Sequence, residues 1–412
     1  MSQRNVVVGI DVGSTKIATV IGQHQENGID IIGVGFAPSN GLRKGMVVDI
    51  EETVSSISAS LEEAERMSGL PVTEAVVSIG GVHIQATSSK GIVAISRQDG
   101  EITDNDTLRV LDAAKSVSVP PNREILHAIP RAYIVDGQES IKDPVGMTGI
   151  RLEVDTQVVS GATAPVKNLA KCLAQAGVTV TDMIFTPLAD AAAVLSKRQK
   201  EIGVALVDIG GGTTSYALYE EGVILHAGVL PIGATHITND IAIGLRTSID
   251  IAEMIKVHHG VATPEKVDPD KVLQLSKLDK NEEGTANLKY VSEIIEARLT
   301  EILHMIRDEI RKIGRDGMLP AGVVFTGGGA KQVGLVELAK NTLRLPAQIG
   351  QLTHDVSGMV DNISDPLYSA SVGLMLWGLE AGNDAKSSKS GSSLDFGSAF
   401  SKAKNVFKKI LP

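Results

Sequence analysis

The sequence predicts an α/β protein of two related lobes, and three stretches carry that prediction. Val6–Gly22 (VVVGIDVGSTKIATVIG) and Val204–Tyr219 (VALVDIGGGTTSYALY) repeat one design: apolar strand, aspartate, a tip of Gly, Ser and Thr, then an alternating strand. Val323–Lys340 (VVFTGGGAKQVGLVELAK) adds a strand, a triple-glycine turn and an amphipathic helix. Hairpin tips visit positive φ and need small residues there. Tips this rich in N–H and hydroxyl groups suit phosphate, and the aspartates can hold a hydrated Mg²⁺. One such hairpin would be an ordinary surface turn; the same device twice implies two domains closing on one nucleotide. The glycine turn admits a ligand close to the backbone, with the positive end of the following helix aimed at it. Neither a terminal Gly-Lys-Ser/Thr nor a GxGxxG pattern is present, which excludes Walker and dinucleotide loops.

At 412 residues, 43% apolar and 21% charged, the chain can bury two large cores. A net charge of −10 disfavours nucleic acid as a partner. The single cysteine, Cys172, excludes an internal disulfide and lies in an apolar pattern, so it is expected to be a buried small hydrophobe. The N-terminus enters a core strand after five residues, so no signal peptide is expected, and no apolar run is long enough to span a bilayer. These features read as cytoplasmic. The nine histidines show no metal spacing.

Asp49-Ile-Glu-Glu52 opens a helix, with Asp as cap and Glu at the third helical position. Behind it Ile50, Val54, Ile57, Leu61 and Ala64 keep the spacing of one buried face. The pattern ends near Ser68-Gly69, and Ala75–Gly81 resumes as a strand. From Val82 to Val159, short strands around a helix at Asp104–Ser116 read as a subdomain inserted in the first lobe. Ala164–Ala176 is helical, Val178–Phe185 is a strand, and Thr186–Leu195 is an Ala-rich helix before the second hairpin. Helices at Ile232–Leu245, Ile249–Val257 and Lys289–Ile313, with a charged, loop-rich Thr263–Gly284, form a second insertion. Ser364–Leu379 is the last helix of the body, with Trp377 in the core.

Hairpin, hairpin and glycine turn, in that order, resemble the actin, heat-shock-chaperone and sugar-kinase superfamily, over the chain up to about Gly382. The resemblance implies that Asp11, Gly13, Ser14, Thr15 and Lys16 form one phosphate loop. Asp208, Gly210, Gly211, Gly212, Thr213 and Thr214 would form the other, and Gly327, Gly328, Gly329 and Ala330 the adenosine motif. Asp11 and Asp208 would orient Mg²⁺ through water, and the charge of Lys16 suits a β- or γ-phosphate. Ala252–Lys256 resembles a helix whose Glu253 and Lys256 touch ribose and base. They are three apart and share a face, which also describes a surface ion pair. Fast members carry Gln or Glu on the hinge helix to position water. Aligning Ala-Val-Leu-Ser puts Ala192 there, with Asp190 the nearest carboxylate at the helix start. ATP is therefore expected to be bound firmly and hydrolysed slowly.

Ala381–Ser393 (AGNDAKSSKSGSS) reads as a polar linker. On a helix beyond it, Phe396, Phe400, Ala403, Val406, Phe407, Ile410 and Leu411 form one stripe, with Lys402, Lys404, Lys408 and Lys409 outside it. A cationic amphipathic helix behind a flexible linker has the form of an in-plane membrane anchor for an anionic surface. Packing on the body or on a partner is the alternative.

The nucleotide site, the first-lobe insertion and this tail together resemble the FtsA family of bacterial cell-division proteins, through IDVGSTKIATVIG, VALVDIGGGTTSYALY, IIEARLTEILHMI and VVFTGGGA. The resemblance implies an actin-like (ribonuclease H-like) two-lobed ATPase fold. Its parts would be subdomain 1A (1–81 and 160–195), an inserted 1C (82–159), 2A (196–240 and 319–380), 2B (241–318), a linker (381–393) and a membrane-targeting helix (394–412). It further implies ATP with Mg²⁺, self-assembly into actin-like filaments, and anchoring of the FtsZ ring. That places the protein peripherally on the cytoplasmic face of the inner membrane at the septum, where it would help recruit later division proteins. The FtsZ C-terminal peptide would dock on 2B, with Arg298 as a contact by motif position and charge. A PilM-like pilus scaffold shares the insertion but lacks such a cationic tail. A small-molecule kinase would need a cleft carboxylate as base, and the sequence offers no convincing one. A heat-shock chaperone would need a substrate-binding domain after the ATPase half.

Overall fold

Alternating apolar residues and tight turns build both lobes on one plan. The computed structural model describes residues 6–25, 28–116, 119–280, 282–354, 356–359 and 363–387. The chain opens with β1 (Val6–Val12), β2 (Lys16–Gln25), β3 (Gly28–Pro38), the short β4 (Leu42–Arg43) and β5 (Met46–Val47), α1 (Ile50–Ser68) and β6 (Glu74–Ile79). The Asp49 side chain accepts the Glu52 N–H, and Gly69 at φ 69° closes α1, as the capping pattern requires. Next come β7 (Ile84–Ala94), α2 (Asp104–Lys115), β8 (Arg123–Val135), β9 (Gln138–Ile141), β10 (Arg151–Ala162), α3 (Thr163–Gln175), β11 (Thr179–Phe185), α4 (Thr186–Val194) and α5 (Lys197–Ile202). The second lobe runs β12 (Val204–Ile209), β13 (Thr214–Glu220), β14 (Val223–Leu230), α6 (Ala234–Leu245), α7 (Ile249–His259), β15 (Val272–Gln274), β16 (Thr285–Asn287) and α8 (Leu288–Lys312). It ends with β17 (Val323–Thr326), α9 (Leu335–Leu343), β18 (Ala347–Ile349), β19 (Val356–Gly358) and α10 (Ser369–Ser387).

The two large sheets share a five-strand topology, to which the first adds β19, parallel to β3 at its edge. In each, a three-strand antiparallel meander (β1-β2-β3, β12-β13-β14) continues through two parallel strands on its other side (β6 and β11, β17 and β18). The strand preceding each phosphate hairpin thus sits mid-sheet and delivers its aspartate to the same edge of its lobe. Two helices pack against these sheets where the lobes meet. In α4 every residue from Pro187 to Val194 is buried, and α10 lies on it and on β1. Their backbones come close because glycine occupies the crossings. A Cβ on Gly373 would stand 1.8 Å from the Ala189 carbonyl oxygen, and one on Gly9 2.2 Å from that of Ser371. Cys172 and Trp377 are buried, as the sequence predicts.

The first insertion is a four-stranded antiparallel sheet, β7-β10-β8-β9, with α2 against it and its own core of Ile102, Val110, Tyr133, Leu152 and Val154. The second lobe adds α6, α7 and α8, the last burying a stripe from Val291 to Ile310. His127 joins the first insertion to the hinge: it is buried, and its Nε2 accepts the Phe185 N–H at 3.0 Å. Burial depresses its pKa to about 3, against about 6.5 in an unfolded chain. Because the folded value is depressed, the unfolded state takes up the proton first. Stability from this group is complete above about pH 6.5 and falls toward pH 3 by up to about 1.4 kcal/mol per pH unit. Chemical denaturation of His127→Gln, which retains an acceptor, should show a shallower loss of stability than the wild type between those limits.

Three details depart from expectation. The α-helix after the glycine triplet does not start there: Gly328–Lys331 is a single 3₁₀ turn, and α9 begins at Leu335. The reason is extended backbone between them, where Val333 pairs with Val261 and Gly334 has φ 88°. The last helix begins at Ser369 instead of Ser364, because Pro366–Tyr368 forms a 3₁₀ turn capped by Asp365. That helix continues to Ser387, into the stretch expected to be linker from Ala381. The tail residues Phe396 to Leu411 lie outside the described residues. Among the described residues, no helix is long and apolar enough to cross a membrane.

Candidate functional site

The two hairpin tips expected to bind phosphate are the same tight turn. The Gly13 N–H donates to the Lys16 carbonyl, and the Gly210 N–H to that of Thr213, each at 2.9 Å. They meet across the cleft. A Cβ on Gly211 would stand 2.2 Å from Thr15 Cγ2, and one on Gly212 3.1 Å from Ser14 Oγ. The second tip is braced from behind by the start of α6, whose Ala234 and Thr235 N–H groups donate to the Gly210 and Gly211 carbonyls at 2.8 and 2.9 Å. Thr214 does not present its hydroxyl to the cleft: it is buried and donates to the Ile232 carbonyl at 2.8 Å.

Between the tips lies a buried cluster of charge. Lys16 Nζ donates to Asp11 Oδ2 at 2.6 Å, and Ser78 on β6 donates to Asp11 Oδ1 at 2.8 Å while accepting the Val12 N–H at 2.9 Å. Burial pulls the Lys16 pKa down, but Asp11, Asp208 and Asp190 together raise it. Burial drives Asp208 up to about 7, helped by Asp11 and opposed by Lys16. Asp190 on α4 is 1% exposed; burial, then Asp208 and Asp11, push its pKa well above the carboxylate range, and its Oδ2 has no hydrogen-bond partner among the described residues. Three carboxylates around one lysine leave the cleft with excess negative charge. Among the described residues, however, no group of three or more acidic, histidine or cysteine side chains is placed to hold a metal ion directly; a cation here would be held through its water shell. Ala192 is buried among apolar residues. Two residues apart on a helix, Asp190 and Ala192 point nearly opposite ways, so Asp190 is the hinge residue that shares the charged cleft.

The glycine turn closes the same cleft. Gly327 has φ 79°, and a Cβ there would stand 2.0 Å from Asp208 Oδ1, so glycine is obligatory. Gly329 and Ala330 are buried in the turn, and Gln332 Nε2 donates to the Gly260 carbonyl at 2.8 Å, tying the turn to the end of α7. On α7, Lys256 Nζ pairs with Glu253 at 2.6 Å and donates to Thr238 of α6 at 2.8 Å. Lys256 is buried against α6 while Glu253 is exposed, so the pair runs from the surface inward. Ser78, Gln332 and Thr238 carried no local sequence signal: each acts through a partner distant in the chain.

Arg298 stands apart from this cleft, on α8. It borders a groove of about 370 Å³ lined by Asp240, Ile243, Gly244, Tyr290, Ile294 and Glu301. Its guanidinium is held by Asp240 through bonds of 2.6 and 3.0 Å and by Glu301. Ile243 is 76% exposed at the rim.

Two repeated sheets meeting at aspartate-led, glycine-rich hairpin tips define an actin-like fold. The structure superposes on the PilM–PilN type IV pilus biogenesis complex (TM-score 0.67, 17% identity, 91% of this chain and 98% of that one). It also superposes on MreB5 of Spiroplasma citri bound to ADP (TM-score 0.57, 12% identity, 93% and 99%). The family model "Cell division protein FtsA" matches residues 205–373, and "SHS2 domain inserted in FTSA" matches 81–160. The cell division protein FtsA of Pseudomonas aeruginosa is 39% identical over 390 residues, 94% of this chain and 93% of that protein. Those of Bacillus subtilis (38%; 91% and 84%) and Escherichia coli (34%; 92% and 92%) are similarly related. The chain belongs to the FtsA family of cell division proteins.

Proposed function

We propose that this division protein binds Mg-ATP in the cleft, assembles with copies of itself into actin-like filaments, and anchors the FtsZ ring to the cytoplasmic face of the inner membrane at the septum. There it helps recruit later division proteins. The observation that carries the nucleotide reading is the trio of Asp11, Asp190 and Asp208, the first two buried and the third partly buried, facing Lys16 between two glycine tips. Asp11 and Asp208 would hold Mg²⁺ through water, and the ion would neutralise charge on the phosphates when bound. Ser14, Thr15, Lys16, Gly211, Gly212 and Thr213 bind phosphate; Gly327, Gly328, Gly329 and Ala330 back the adenosine, with Glu253 and Lys256 near ribose and base. With its one spare carboxylate, Asp190, buried on the hinge, the cleft favours holding ATP over turning it over quickly. Residues 82–159 serve as subdomain 1C and 241–318 as 2B, where the groove at Arg298 takes the acidic C-terminal peptide of FtsZ.

The tail supplies the anchor. Phe396, Phe400, Val406, Phe407, Ile410 and Leu411 enter the acyl boundary, and Lys402, Lys404, Lys408 and Lys409 meet anionic headgroups. Each lysine contributes about 1 kcal/mol at such a surface, so binding is reversible and gains from filament avidity. Co-sedimentation with anionic liposomes in Mg-ATP tests this: the full chain should pellet, and a version ending at Ser393 should stay in solution. Equal behaviour of the two forms would overturn the anchor. Phosphate transfer to a small acceptor would overturn the scaffold.

A further inference from the structure

The turn between β4 and β5 touches both phosphate tips and the entrance to the inserted sheet. Lys44 has φ 50° and Gly45 φ 75°; a lysine in the left-handed region carries strain of about 1 kcal/mol or more, which the surroundings must enforce. The Gly45 N–H donates to Ser14 Oγ of the first tip at 2.8 Å. Lys44 Cα stands 3.3 Å from where a Cβ on Gly212 of the second tip would be. On its other side the Lys44 carbonyl accepts the Val82 N–H at 3.2 Å. Gly81, at φ 112°, lies so close that a Cβ there would be 2.6 Å from the same carbonyl oxygen. The Lys44-Gly45 pair therefore bridges the first tip, the opposite tip and the chain entering β7.

Charge indicates what the turn is for. Lys16 is already committed to Asp11 at 2.6 Å, and Asp190 and Asp208 add two more carboxylates. Lys16 therefore brings a partly neutralised charge to a polyphosphate, which leaves a place for a second cation. Among the described residues Lys44 has no carboxylate within ion-pair distance, and its four-carbon stem can place an ammonium at a phosphate held between the tips.

We propose that Lys44 binds the terminal phosphate of a nucleoside triphosphate and, through its carbonyl, transmits that contact to the inserted subdomain at Val82. This rests on the nucleotide reading of the cleft. A ligand shifts the turn only by as much as it prefers one position of Lys44 over another, so triphosphate and diphosphate must differ at this residue.

The full chain, Lys44→Met and Lys44→Arg are titrated with Mg-ATP and Mg-ADP by calorimetry, and amide exchange at Val82 is followed with each nucleotide. Methionine keeps the length and the backbone strain but removes the charge. It should weaken Mg-ATP about 10-fold and Mg-ADP by less than about 2-fold, the scale of one charged hydrogen bond; arginine should restore the difference. Val82 should exchange more slowly with Mg-ATP than with Mg-ADP in the wild type, and not in Lys44→Met. Equal losses for both nucleotides, or none, overturn the inference and leave the cleft reading intact. Wild-type protein binding neither nucleotide overturns both. If Lys44→Met does not fold, the wild-type exchange decides alone: equal protection of Val82 by the two nucleotides overturns the inference.

Discussion

Asp208→Asn should weaken Mg-ATP binding by about 10–100-fold, the scale of losing a carboxylate behind a metal's water shell, while raising the melting temperature of the nucleotide-free protein at pH 8. The two effects have one cause. Asp208 is partly buried beside Asp11 and near Asp190, and its pKa is driven to about 7, chiefly by desolvation. A carboxyl whose folded pKa lies above its unfolded value is stabilising only while protonated. Its contribution is complete below about pH 4 and is lost as pH rises through about 7. At pH 8 the empty cleft therefore holds an uncompensated ionised group, and asparagine relieves it while keeping the shape. A bound divalent cation relieves it too, so the wild type should gain stability from Mg-ATP most strongly at high pH and the variant should gain little. Thermal melts at pH 6 and pH 8, with and without Mg-ATP, measure all of this. Lower stability with unchanged nucleotide affinity would show that Asp208 is structural and that the cation site lies elsewhere.

How much of this cleft was legible in the sequence depends on how local each part is. The hairpins were readable because strand, aspartate and small-residue tip are contiguous, and a turn at positive φ admits few residue types. The cap of α1 at Asp49 and the buried stripe of α8 were readable for the same reason. The hinge was not. Ala-Val-Leu-Ser gives a helix but not its rotation, and α4 is buried on every side, so periodicity carried no phase. Only tertiary packing turns Asp190 into the charged cleft and Ala192 into the core. It also brings to the cleft the carboxylate, Asp190, that the sequence named only as the nearest one at the helix start. Thr214 misled for the opposite reason: it belongs to the motif by spacing, yet begins β13 and spends its hydroxyl on Ile232. The start of α9 was hidden by a long-range pairing, Val333 with Val261, that no local pattern encodes.

Arg298→Glu should abolish capture of the FtsZ C-terminal peptide without changing nucleotide binding, whereas Asp240→Asn should strengthen capture. In the free protein the Arg298 guanidinium is occupied by Asp240 and Glu301, all three side chains being partly exposed at 25%, 28% and 53%. Such pairs add little to stability, so they can exchange for a peptide carboxylate at small cost. Reversing the charge leaves three acids facing an acidic peptide. Loss of a charged contact with added repulsion is on the order of 2–5 kcal/mol, or at least about 30-fold in affinity. Removing the Asp240 charge leaves the guanidinium with a weaker competitor, so affinity should rise several-fold. Fluorescence anisotropy with a labelled peptide reads both. The opposite signs separate a binding arginine from a structural one: if Arg298 only pins α8 to α6, both substitutions loosen the groove and both weaken binding. Peptide affinity indifferent to Arg298→Glu would move the docking surface away from the groove between Ile243, Tyr290 and Ile294, leaving their exposed apolar faces to another partner.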